Sequence, residues 1–236
     1  MERQFETALK NLKDQLMAMA GMVERAIETA IEALQSNNAQ KTSRVFELEK
    51  RIDRSHKDID QSCLELLALN QPMAADLRLI IAVIKINTDL ERMGDQAVNI
   101  SQNSMRYLAG PPLKPLVDLP TMFTEVRIMV RDVLDAFVRN DEALARNVIF
   151  RDDLVDELKN KIFRDVQDHL KSKVTQVPLA KGVPEMIEQG LNLILIARNL
   201  ERLGDHATNI AEDVIFALSG VDVRHGGAKK YTPQTS

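Results

Sequence analysis

The chain has 236 residues, 44% of them hydrophobic and 28% charged, with a formal net charge of −4. Aromatics are only 4%, Trp is absent and there are ten Met, which favours helices packed on helices around an aliphatic core over a sheet. With no dense basic stripe, nucleic-acid binding has no electrostatic support, and the single cysteine, Cys63, excludes an internal disulfide and suits a reducing compartment.

The elements follow in chain order. Phe5, Leu9, Leu12, Leu16, Met19, Val23, Ile27, Ala30 and Leu34 recur every three or four residues, which predicts one long amphipathic helix ending at Ser36-Asn37-Asn38. The opening MERQFETALKNLKDQ carries charge from its second residue, unlike a signal peptide. Val45, Leu48, Ile52, Ile59, Cys63 and Leu66 predict a second helix, with Cys63 on its apolar face as inert packing. Asn70-Gln71-Pro72 breaks it, and Pro72 is placed to begin a third helix running to about Tyr107. GPPLKPLVDLP, Gly110–Pro120, holds four prolines and a glycine and predicts a stiff, non-helical connector.

Beyond the connector the pattern starts again. Helices are expected over Met122–Val138, from Asp141 to about Lys173, and from Glu185 to about Leu218, with a loop around Pro178, Gly182 and Pro184. Residues 221–236 read as a mobile tail. No window approaches the roughly 18–20 uncharged apolar residues of a membrane span, so a soluble, cytoplasmic protein is expected.

The two halves match each other. DLERMGDQAVNI (Asp89–Ile100) and NLERLGDHATNI (Asn199–Ile210) share eight of twelve residues, 110 positions apart. NNAQKTSRVFELEKRID (Asn37–Asp53) lies over NDEALARNVIFRDDLVD (Asn140–Asp156) without a gap. The organisation expected is all-α: a three-helix bundle over 1–109, a Pro-rich linker over 110–120, a homologous bundle over 121–220, then the tail.

Acidic pairs stand out against this pattern. Glu91 and Asp95 fall in the rows Leu77, Ile84, Glu91, Val98, Met105 and Ile81, Thr88, Asp95, Gln102, which read as a buried seam. Glu201 and Asp205 repeat the placement beside a row of small residues, Gly190, Ala197, Gly204 and Ala211, that lets another backbone come close. The second helices add Glu49 and Asp53 in the first half and Asp152 and Asp156 in the other. Antiparallel neighbours would gather four carboxylates, twice.

Such crowding is unfavourable unless the acids protonate, pair with arginine or bind cations. Arg92 and Arg202 point roughly 100° away from the adjacent glutamates, which leaves cations as the better escape. Oxygen-only ligands admit Mg²⁺, Mn²⁺, Ca²⁺ or iron, and facing carboxylates on bundle helices can hold more than one metal. A solvated acidic face is the competing reading, since roughly five acid-x-x-x-acid pairs arise by chance in so acidic a chain. His56, whose counterpart is Lys159, and His206, whose counterpart is Gln96, read as structural or exposed. Asn99 and Asn209 sit symmetrically four residues past the aspartates, as neutral ligands or donors to the acids.

ERMGD with QAVNI, ERLGD with HATNI and the intervening PPLKPLVDLP resemble the PhoU family of phosphate-regulatory proteins, over about Phe5 to Leu218. The resemblance implies a six-helix fold of two tandem three-helix bundles, with iron or zinc clusters on the acidic motifs of some members. It carries Glu91, Asp95, Glu201 and Asp205 as motif acids, with Glu49, Asp53, Asp152 and Asp156 opposite. It further implies a cytoplasmic negative regulator of phosphate uptake and of the phosphate-starvation response. Such a protein links the ATPase of the phosphate ABC transporter (PstB) to the sensor kinase (PhoR), reaching the membrane only through partners. A homodimer is expected of long amphipathic helices. No nucleophile–base set or phosphate-cradling glycine loop supports an enzyme. A di-metal carboxylate enzyme and a metal-free helical scaffold stand as alternatives.

Overall fold

Each amphipathic stretch becomes a helix that runs to its nearest breaker. The structure, a computed structural model, describes residues 2–36, 38–110, 113, 118–174 and 183–224. Helix α1 spans Glu2–Gln35, and a single 3₁₀ turn at Ala39–Lys41 leads into α2, Thr42–Asn70. Gln71, in the left-handed region with φ 47°, ends α2, and α3 (Ala74–Leu108) begins two residues after Pro72 rather than at it.

Helix α4 covers Asp118–Arg139, α5 Glu142–Val174 and α6 Val183–Ser219. The expected non-helical connector is therefore too long at its end: Asp118, Leu119 and Pro120 form the first turn of α4. A proline is tolerated there because its missing N–H would have no acceptor in the helix. Pro184 sits in the first turn of α6 for the same reason. Asn140 (φ 53°) makes the α4–α5 turn, and Asp141 Oδ1 caps α5 by accepting from the Leu144 amide at 3.0 Å. Val223, within the expected tail, is buried against the core. The rest of it, with most of the connector and the Pro178–Gly182 loop, lies outside the described residues.

The described residues form six α-helices and no strand. Helices α1, α2 and α3 pack on one another, as do α4, α5 and α6. The two bundles meet chiefly through α3 and α6, the most extensive helix pair in the molecule. These two run antiparallel: Lys85 Nζ donates to Asp213 Oδ1 at 2.8 Å, while Asp89, one turn later, meets His206, two turns earlier. The buried side chains form one continuous aliphatic cluster through both bundles, so the repeats share a single core. Among the described residues no helix is long and apolar enough to cross a membrane.

Candidate functional site

Helix α3 touches α1, α2 and α6, so it is apolar around most of its circumference. Its core line is Ile86, Leu90, Met93, Ala97 and Ile100, all 0–1% exposed. The rows through Leu77, Glu91, Met105 and Asp95 are instead its outer rim. Leu77 and Met105 are 38% and 42% exposed, Glu91 is half-buried and Asp95 exposed. The seam assignment for Glu91 and Asp95 is thus corrected by about a quarter turn. With three partners for one helix, several apolar rows satisfy the same periodicity.

The rim is nonetheless shared. Gly94 brings α3 against α2 so closely that a Cβ there would lie 3.2 Å from Ile52 Cδ1. Glu49, about one turn before Ile52, and Asp53, the residue after it, lie near Glu91 and Asp95. Partial loss of water raises Glu49 above the usual carboxylate range, reinforced by the charges of Asp53 and Asp95. Glu91 is raised by the same loss of water and then by Asp95, against a lowering by His56, with Asp53 adding to the rise. Asp95 is raised by loss of water and by Asp53, although it is exposed by surface area. Glu49, Glu91 and Asp95 therefore each sense the charge of Asp53 in the α2–α3 groove. Among the described residues no lysine or arginine forms an ion pair with any of them.

His56, one turn beyond Asp53, is held by Asp60, with Nε2 3.2 Å from Oδ2. Asn87 of α3 donates to the His56 carbonyl and to Asp60 Oδ1, both at 2.9 Å, tying the helices together.

The second half copies the scaffold and changes the charges. Gly204 takes the place of Gly94, and a Cβ there would lie 3.3 Å from Asp152 Oδ1 and 3.5 Å from Val155 Cγ1. The small-residue row Gly190, Ala197, Gly204 and Ala211 is buried, as expected, and admits α5. Across the α5–α6 groove, however, Lys159 Nζ donates to Asp156 Oδ1 at 2.9 Å and to Glu201 Oε1 at 2.8 Å. Asp205 is raised by burial and by Glu201 and Asp156, against lowering by His206 and Lys159.

Two further expectations change. Asn209 directs its Nδ2 across to Asp89 Oδ1 at 3.3 Å and not to the acids of its own half. His206 is buried with Nδ1 2.8 Å from the same Asp89 oxygen. Asp89 was missed by sequence reading. The signal was a seven-residue spacing of buried polar residues, Asp89, Gln96 and Asn103 on α3 against Asn192, Asn199, His206 and Asp213 on α6. Cys63 is buried, and its thiol is pushed up to about 12 by burial, which makes it inert packing as expected.

The donor chemistry separates the two sets. Glu49, Asp53, Glu91 and Asp95 are oxygen donors that Lys50 and Arg92 offset only from a distance, without an ion pair, which suits a hard cation. Among the described residues no three such side chains already close on one point, so ligation there requires side-chain rotation on fixed helices. The second set does not fit in the same way, because an ammonium already holds one oxygen from each helix.

The PhoU domain model matches residues 16–104 and again 119–214, one match per bundle. The phosphate-specific transport system accessory protein PhoU homolog of Pseudomonas putida is 37% identical over 99% of this chain and 88% of its own length. Its namesake from Aquifex aeolicus is 37% identical over 94% of this chain and 96% of its own length. The crystal structure of PhoU from Pseudomonas aeruginosa superposes with a TM-score of 0.85 at 34% identity, covering 92% of this chain and 100% of that one. These relatives are named as accessory proteins, not as enzymes. The doubled domain match and the identity along nearly the whole chain place this protein in the PhoU family.

Proposed function

We propose that the chain is a cytoplasmic regulator of phosphate uptake that bears on the ATPase of a phosphate ABC transporter and on the sensor kinase of the phosphate-starvation response. The observation that carries this is the relatedness over both repeats to accessory proteins of the phosphate-specific transport system. The role needs a rigid body with two large helical faces, and six long helices on one shared core supply it. In this reading the Glu49, Asp53, Glu91 and Asp95 set holds a metal ion, iron or zinc by family likeness. The bound cation neutralises the acids that crowd the α2–α3 groove and fixes that groove's shape. In this reading the protein works as a homodimer, which light scattering tests.

The test is recovery of partners. Tagged full-length chain, incubated with membrane and soluble fractions of its source cells grown in ample phosphate, retains the transporter ATPase and the kinase. Recovery of neither from fractions shown to contain both refutes the adaptor role. Elemental analysis of the same protein separates a metal-bearing regulator from a metal-free scaffold.

A further inference from the structure

We propose that Lys159 is a built-in cation that takes, in the second half, the place the first half leaves to a metal, so that metal binding by this chain is one-sided. The proposal rests on the metal reading of the first set, and its test keeps the two apart.

The internal repeat locates the difference at a single position. Extending the gapless match of Asn37–Asp53 over Asn140–Asp156 by three residues sets Lys159 on His56. Each follows the second acid of its helix by three positions, so each lies over the groove beside the glutamate of the facing helix. In the first half that position carries an imidazole, turned toward Asp60. In the second it carries an ammonium bonded to both walls of the groove, Asp156 on α5 and Glu201 on α6.

The chemistries are not interchangeable. A neutral imidazole has a lone pair and can join a metal's ligands, whereas an ammonium has three donors and no lone pair. A divalent ion approaching Asp156 and Glu201 must expel Lys159 or stand beside it. Two cations that close together repel each other. The lysine is only 27% exposed and Glu201 only 19%, whereas Asp156 is 51% exposed, so water screens this less on the α6 wall than on the α5 wall. The ammonium also needs nothing from solution. The second groove is held closed at any metal concentration, and the first responds to it.

The experiment loads full-length protein with Zn²⁺ or Mn²⁺ and measures bound metal by elemental analysis after dialysis. Four proteins are compared: the natural chain, Glu91→Gln/Asp95→Asn, Lys159→His, and all three changes together. The natural chain binds metal, and Glu91→Gln/Asp95→Asn lowers its affinity more than 10-fold. Lys159→His adds metal above the natural content, and the triple variant binds through its second half alone. Retention of natural metal content by Glu91→Gln/Asp95→Asn, or a triple variant without metal, overturns the proposal. A metal-free natural chain beside a metal-loaded triple variant removes the first-half reading and upholds the role of Lys159. The natural chain also gives a reading that needs no variant. Bound Mn²⁺ broadens the methyl signals of Ile52, beside the first set, more than those of Val155, beside the second; equal broadening of both overturns the proposal.

Discussion

Four carboxylates line the α2–α3 groove with no lysine or arginine paired to them among the described residues, while the matching groove between α5 and α6 closes over Lys159. Both grooves are built on one glycine approach, Gly94 against Ile52 and Gly204 against Val155 and Asp152. A duplicated scaffold thus keeps its backbone geometry while one residue changes its electrostatics. Packing geometry is set by dozens of contacts and resists drift; charge balance in a half-open groove turns on one side chain.

Substitution at the two glycines tests the shared part of this comparison and carries the largest expected effect. Gly94→Val pushes a branched side chain into Ile52 and is expected to cost about 3 kcal/mol, read as a lower urea midpoint at unchanged slope. Gly204→Val meets a carboxylate tip and a slightly more distant methyl, and its loss is smaller. Equal losses would show that the two approaches are built alike in energy as well as in shape.

The next effect lies where the halves meet. The α3–α6 register sets Asp89 against His206 and, one heptad along, Gln96 against Asn199, two crossings related by the internal repeat. Asp89→Ala strips the buried His206 of its acceptor, and the exposed Asn209 of a longer contact, and is expected to cost about 2 kcal/mol. Asp89→Asn with His206→Gln turns the charged crossing into a copy of its neutral counterpart and recovers most of that loss. A double variant no better than Asp89→Ala would mean that the charge itself holds the crossing.

How much of this was legible beforehand follows from how many partners each helix has. Helix α1, which packs mainly on α2 and α3, could be read directly through Leu12, Leu16, Met19 and Val23. The duplication was legible too, because ERMGD and ERLGD repeat nearly letter for letter. The face of α3 was not, because a helix with three neighbours offers several apolar rows, and the row with the acids was taken for the innermost. The eight acids were still grouped into the right two grooves, since the error rotated whole rows without separating their members. The Lys159 bridge was half-visible: its correspondence to His56 could be read, but not the reach of its four-carbon stem to Glu201. Asp118–Pro120 misled because proline density says nothing about which proline starts the next helix.

Lys159 tests the part that differs. Lys159→Met in metal-stripped protein leaves Asp156 and Glu201 facing each other without a cation and is expected to cost about 1 kcal/mol, the modest figure reflecting partial exposure. His56→Met removes a contact with the more exposed Asp60 and costs less. A larger loss at His56 would reverse the assignment of which half relies on its own cation.

The smallest effect is also the one whose sign decides most. In metal-stripped protein the raised Glu91 and Asp95 bind protons more tightly when folded than when unfolded. Their contribution to stability therefore falls as pH rises from the ordinary values of 4.5 and 3.8 through the raised ones, and above that window the penalty is complete. Glu91→Gln/Asp95→Asn is accordingly expected to raise the melting midpoint at pH 7 by about 2 °C, with the gap closing once the pH drops below the ordinary carboxylate values. Saturating metal inverts the sign, because the natural chain then gains stability by mass action and the variant does not. The change in the second half that removes only the lysine's partner, Glu201→Gln, takes that partner from Lys159 and lowers the midpoint with or without metal. A gain in both halves, or a second-half change that follows metal concentration, would show that the two grooves balance their charge in the same way.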